Sequence, residues 1–300
     1  MRQSGEMTGA LLEQSAGLTD RKPRAPRARP VVRIRPSAGW RALDLRELWQ
    51  YRDLIYFLAW RDVKVRYKQT ALGVAWAILQ PLAAMAVFTV FLGGLVHVPS
   101  DGLPYPLFAY VGLLPWTYFA NAAVGASSSL VANTNLVAKV YFPRLAVPLA
   151  AVLAGVIDLG VGLVLLFGLL AVFGVSPGAG LLLVPVFVGL TMLAALAVGV
   201  WLSALDVQYR DVRYAIPFLM QVWLFATPVV YPASLVPAQY RAVYGLNPMA
   251  GVVEGFRWAM LGQTEFPGCL LAVSTLVIAA VLVSGLFYFR RMERIFADVI

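Results

Sequence analysis

Reactive side chains are scarce in these 300 residues, which hold one histidine, His97, and one cysteine, Cys269. A lone cysteine excludes an intrachain disulfide and a thiolate metal cluster; it reads as a small apolar residue at the start of a membrane helix. A lone histidine excludes the paired imidazoles of zinc hydrolases, and His97, at the end of an apolar run, reads as an interfacial polar residue. No glycine-rich phosphate loop occurs, so ATP is not expected to bind this chain through one. Asp101, Glu254 and Glu265 are scattered without metal-ligand spacing, and no metal site is expected. A sizeable soluble loop with an acidic nucleotide-sugar site is also missing, which argues against a membrane enzyme acting on lipid-linked sugars. The first ~40 residues lack the 7–15-residue apolar core of a secretory signal, so no cleaved leader is expected.

Apolar residues are what the chain has in excess. They make up 60% of it, charged residues 13%, and the mean hydropathy is +0.76. That composition belongs to an all-α integral membrane protein. The net charge of +9 is placed topologically: of 24 Lys and Arg, 15 lie in residues 1–68, two in 132–144, two in 207–214 and three from Arg290 onward. Basic residues concentrated in alternate loops mark the cytosolic face, and the pattern is not a nucleic-acid footprint. With ~20 apolar residues needed to cross ~30 Å of hydrocarbon, six spans are expected at 74–98, 105–131, 145–173, 181–204, 215–231 and 269–289. Six spans leave both termini in the cytosol and the body in the cell (inner) membrane.

Three regions follow. Residues 1–39 are rich in Arg, Pro, Ala and Gly and read as a disordered basic cytosolic tail. Residues 40–72 read as an amphipathic interfacial helix, on which Trp60, Val63 and Tyr67 fall on one face and Arg61, Lys64 and Lys68 on the next. This cationic face suits lipid headgroups, including the pyrophosphate of a lipid-linked sugar. Leu72-Gly73 is then the elbow into the first span. Residues 73–300 form the six-span membrane body. Its fifth span is short and carries Pro217 and Pro228, so kinks or broken ends are expected; Pro185 falls inside the fourth. Gly125/Ser129 and Gly199/Ser203 are spaced for close helix approach. Residues 232–267 are too short in either half to cross and read as two re-entrant helices, one at 252–261 after a turn at Leu246-Asn247-Pro248.

Asp158 is the one ionisable residue deep within a span. It must face protein or water, or be protonated, as a pore or coupling element or as a carboxyl bonded between helices. The loop 206–214 interleaves Asp206, Arg210, Asp211 and Arg213, a mixture suited to a protein surface. Trp116, Tyr118, Phe119, Trp223 and Tyr231 are candidates for a channel lining, since flat rings meet the C–H faces of sugars; packing is the alternative for each.

The run Tyr67-Lys68, Leu72-Gly73, Trp76 and Gln80-Pro81 resembles the signature that opens polysaccharide-exporting ABC permeases, the type-2 ABC exporters of O-antigen, capsule or teichoic-acid chains. Gln208-Tyr209-Arg210-Asp211 resembles their loop before the fifth span, followed by Thr227-Pro228-Val229 and Tyr231. Asn247-Pro248 and Arg257 match their outer gate segment, so the resemblance runs in order over roughly 60–260. It implies a homodimer around one pathway for a lipid-linked polysaccharide, driven by two copies of a separate ATPase subunit that binds the ATP and Mg. It implies a hinge at Arg61, Lys64, Tyr67, Lys68, Leu72 and Gly73, and ATPase coupling through Asp206, Gln208, Tyr209, Arg210, Asp211 and Arg213. The channel or gate would then fall to Trp116, Tyr118, Phe119, Asp158, Trp223, Tyr231, Asn247, Pro248 and Arg257. An ABC exporter of a smaller lipid or drug is the alternative.

Overall fold

A computed structural model describes residues 45–68, 75–262 and 265–299, and every regular element among them is helical. The basic tail and the Leu72-Gly73 elbow lie outside the described residues.

The chain runs through α1 (Leu45–Gln50), α2 (Arg52–Lys68), and α3 (Ala75–Phe88), which continues as a π-helical stretch over Thr89–Leu95. Next come α4 (Tyr105–Ala132), α5 (Thr134–Lys139), α6 (Ala146–Ala154), α7 (Val156–Val172) and, after a 3₁₀ segment over Ala179–Leu183, α8 (Val184–Gln208). The remainder is α9 (Val212–Ala226), α10 (Arg241–Tyr244), α11 (Pro248–Leu261) and α12 (Gly268–Val299). Among the described residues five segments are long and apolar enough to cross a membrane: Ala75–Leu95, Tyr105–Ala132, Ala146–Val172, Gly180–Gln208 and Gly268–Glu293.

The expected fifth span, 215–231, is not a full-length helix. Its helix, α9, has 15 residues, roughly 22 Å at 1.5 Å per residue. It stops at Ala226 because Pro228 disfavours helical backbone at the residue before it, and Thr227 is extended, with φ −105° and ψ 145°. Pro185 does fall inside the fourth span, Gly180–Gln208, near its start. It occupies the first turn of α8, where a missing N–H costs nothing. The third span is interrupted at Gly155, where the Tyr118 ring lies 3.1 Å from the position a Cβ would take. The Tyr118 hydroxyl donates to the Val152 carbonyl at 2.9 Å, an acceptor that a continuous helix would use internally.

The bundle is assembled around α4, buried along most of its length. Helix α8 packs directly on it because Gly199 has no side chain, and a Cβ there would sit 2.6 Å from that of Ala126. The other small pair behaves differently: nothing approaches within 4 Å of Gly125, which faces a cavity. Helix α2 buries Ile55, Leu58 and Val63, and the first two join Leu130, Phe142, Ala146 and Phe296 in one apolar cluster. Of the residues expected on the apolar face, Val63 is buried, Tyr67 half-buried and Trp60 exposed. The buried stripe is set by the bundle, not by a lipid surface.

Helix α11 is buried almost all round against α4, α8 and α12. It starts one turn earlier than the expected 252–261 because Asn247 caps it. The Asn247 side chain accepts from the Met249 N–H at 3.1 Å, and Pro248 fills the first turn. Gly262, at φ +65°, closes the helix in the left-handed conformation.

Candidate functional site

A cavity of about 840 Å³ opens between α2, α3, α4, α6 and α7. Its wall on α4 is a stripe of small and polar side chains, Thr117, Asn121, Gly125, Ser128 and Ala132, spaced to share one helical face. Trp76, Gln80 and Pro81 of α3 face them. Leu114, Leu159 and Gly162 make the far end apolar. An opening both polar and apolar fits a headgroup attached to a hydrocarbon tail.

Asp158 reaches this cavity from the first turn of α7. Its Oδ2 accepts from the Arg66 guanidinium and its Oδ1 from the Tyr67 hydroxyl. Two donors from the last turn of α2 thus hold one carboxylate of the third span, and the surface helix is latched to the bundle. The Asp158 carboxyl is bonded between helices and also stands on the cavity wall, so it has a feature of each of the two readings open for it. Partial burial, reinforced by the bond to Asp158, pushes the Tyr67 phenol up to about 12, so it remains a donor at physiological pH. Arg66 was not singled out from the sequence. The available signal was Asp158 itself, since an intramembrane carboxylate calls for a cation.

The cationic face expected at 61, 64 and 68 borders one groove. The Arg61 guanidinium donates to Asp62 at 2.8 and 3.0 Å, and Lys64 sits 5.6 Å from the centroid of the Trp60 ring. Arg61, Lys64 and Lys68 line a shallow groove of about 400 Å³ with Phe57, Trp60 and Val65. Arg61 also borders the large cavity.

The mixed-charge loop sorts into a staple and a tip. Asp206 is buried, and its carboxylate accepts from Arg213 at 3.2 and 3.4 Å. Gln208 accepts from the Tyr288 hydroxyl of α12 at 3.1 Å. Between these anchors Tyr209, Arg210 and Asp211 are exposed, a short charged knuckle held by both neighbouring helices.

The candidate channel residues fall into separate groups. Trp116, Phe119 and Trp223 form one aromatic cluster, with centroids 5.3 to 6.2 Å apart. Trp223 donates to Asn247 at 3.1 Å, and Asn247 in turn donates to Ala226 O and Thr227 Oγ1. This amide therefore ties the end of α9 to the start of α11 at Pro248. Tyr231 bonds Tyr244 at 2.7 Å and donates to Phe225 O. Tyr118 borders the cavity with Asp158. Arg257 is wholly buried and donates to Pro228 O at 2.7 Å, to Val229 O and to Glu254 Oε1 at 2.8 Å. Its guanidinium also lies 3.7 Å from the centroid of the Phe108 ring. In this chain it joins α11 to the segment after α9, with no open surface of its own.

Comparison with known proteins adds an independent line. Residues 53–261 match the family described as ABC-2 type transporter. The chain is 32% identical over 257 residues to an O-antigen export system permease protein from Myxococcus xanthus, covering 83% of this chain and 96% of the relative. It is 26% identical over 252 residues to the protein of that name from Klebsiella pneumoniae, with 83% and 95% covered. Against a polysialic acid transport protein from Escherichia coli, identity is 23% over 238 residues, with 78% and 91% covered.

Proposed function

The chain belongs to the ABC-2 type transporter family, and on that premise we propose that it is the membrane subunit of an ATP-driven exporter of lipid-linked polysaccharide. It is an integral membrane protein whose relatives are transport permeases; no catalytic step is assigned to it. The observation that carries the substrate reading is the cavity. Its polar stripe on α4 and its apolar end give a sugar-bearing phosphate headgroup and its hydrocarbon tail one continuous surface at the basic end of the bundle.

In this reading α9, extended through Thr227 to Tyr231, completes a sixth crossing, and α10 and α11 dip into the outer leaflet. Proline-broken, extended backbone is tolerable at that depth because it is covered by protein: Arg257 satisfies the carbonyls of Pro228 and Val229. Residues 1–39 form a cytosolic tail, 40–72 the interfacial region and 73–300 the permease body, with both termini in the cytosol of the inner membrane. Two copies enclose the pathway, and two ATPase subunits bind ATP and Mg below it. The knuckle Tyr209–Arg210–Asp211 is their contact, since its anchors would pass a push into α8, α9 and α12.

The test is removal of the chain from its host. Surface polysaccharide is expected to disappear while lipid-linked chains accumulate at the cytosolic face, and a plasmid copy should restore export as long as the host's own P-loop ATPase partner is intact. Normal surface polysaccharide in the deletion strain would overturn the reading.

A further inference from the structure

We propose that Arg66 and Tyr67 form a lipid-phosphate site whose resting occupant is the Asp158 carboxylate, so that a phosphate headgroup in the cavity competes with Asp158 and releases α2 from the third span. This deepens the exporter reading by giving its cavity a recognition element and a moving part.

Three observations lead there. First, the two donors converge on the two oxygens of one carboxylate, Arg66 on Oδ2 and Tyr67 on Oδ1. A guanidinium fork beside a hydroxyl is the donor set that phosphate oxygens accept from, and phosphate offers more oxygens and more charge than a carboxylate. Second, the pair stands on the wall of a cavity large enough to bring a headgroup to it; the side chains of Arg66 and Asp158 are 47% and 31% exposed. A structural ion pair sealed from ligands would be buried, as Arg257 and Glu254 are. Third, of the other cations at this end of α2, Arg61 lines the same cavity but is already paired there with Asp62, and Lys64 and Lys68 line the adjoining groove instead. The phosphate-facing donors are thus those of the last turn of α2, directly before the chain leads into α3.

The consequence is mechanical. Arg66 and Tyr67 belong to α2, Asp158 to α7, and α2 also rests on the bundle through Ile55, Leu58 and Val63. Exchange of carboxylate for phosphate exchanges a bond to the bundle for a bond to a mobile lipid. The end of α2 loses its bond to Asp158, while the apolar contacts of Ile55, Leu58 and Val63 keep the helix docked.

Binding is measured on the purified full-length permease without any ATPase, so failure here is separable from failure of the export reading. The probes are short-chain phosphatidylglycerol and an isoprenyl diphosphate, with diacylglycerol as the phosphate-free control. Arg66→Gln is expected to weaken phosphate-lipid binding about tenfold, the scale of one charge-assisted bond. Asp158→Asn, which removes the competitor, is expected to tighten it by a similar factor, and Tyr67→Phe to weaken it by less than Arg66→Gln. Hydrogen exchange in α2 should rise when lipid is added to wild type and be already raised in Asp158→Asn. Preference for the diphosphate assigns the site to the transported lipid, and equal binding of phosphatidylglycerol assigns it to bilayer phospholipid. Equal binding of diacylglycerol, or weaker binding by Asp158→Asn as well as by Arg66→Gln, would overturn the proposal and leave a structural latch. Should Arg66→Gln not assemble, the opposite signs expected of Tyr67→Phe and Asp158→Asn decide it alone.

Discussion

Arg257→Met is the substitution with the clearest structural consequence. The methionine keeps most of the aliphatic volume and removes every donor. Three things are then lost at once. Glu254, buried at 8% exposure, keeps only the Ala233 N–H at 3.1 Å as a partner; the carbonyls of Pro228 and Val229 lose their donor; and the Phe108 ring loses its cation. Removing one partner of a buried ion pair costs about 3–5 kcal/mol, mostly as an uncompensated charge. Orphaned carbonyls add to this, though not additively. At roughly 2–4 °C per kcal/mol for a fold of this size, the melting temperature of the detergent-purified protein should fall by about 10 °C, followed by fluorescence-detected gel filtration on heating. Glu254→Gln combined with Arg257→Met should recover part of the loss, because the charge left stranded is then neutral. A single variant that melts with wild type would refute the account of Arg257 as the knot between α11 and the segment after α9. A double variant less stable than the single would refute the argument from stranded charge.

The loop 206–214 should split by residue. Asp206→Asn weakens a buried staple to Arg213 and is expected to lower the yield of folded protein, whereas reversing Arg210 and Asp211 together should spare folding and reduce ATPase co-purification and stimulated hydrolysis; unchanged values in both assays would return the tip to a plain anchor. Gly199→Leu places a branched side chain where even a Cβ lies 2.6 Å from Ala126, so α4 and α8 must part and the protein should fail to accumulate. Gly125→Ala, which meets nothing within 4 Å, should accumulate normally, and equal accumulation of the two would sink the packing argument.

The limits of the sequence show in particular residues. Asp158 could be identified as a carboxylate requiring a partner, but Arg66 lies 92 positions away, and no periodicity links them. Asp206 and Arg213 read as equal members of a charged surface until one was found buried. Apolar content draws the fifth span to 231, with kinks or broken ends expected at its prolines; the helix keeps Pro217 inside it and ends at Ala226, before Pro228. Arg257 matched a gate pattern, yet its donors all point into protein.

What the sequence determined by itself is what depends on composition and on local chemistry. Apolar runs of membrane length set the all-helical body and basic loops set the expected sidedness, because hydropathy and charge act over a few residues. Only the tertiary structure decided which face of α2 is buried, which small residues pack and which open a cavity, and which charges pair. Those outcomes depend on helices far apart in the chain meeting side by side, and their energies are fixed by burial and distance, which no single stretch of sequence contains.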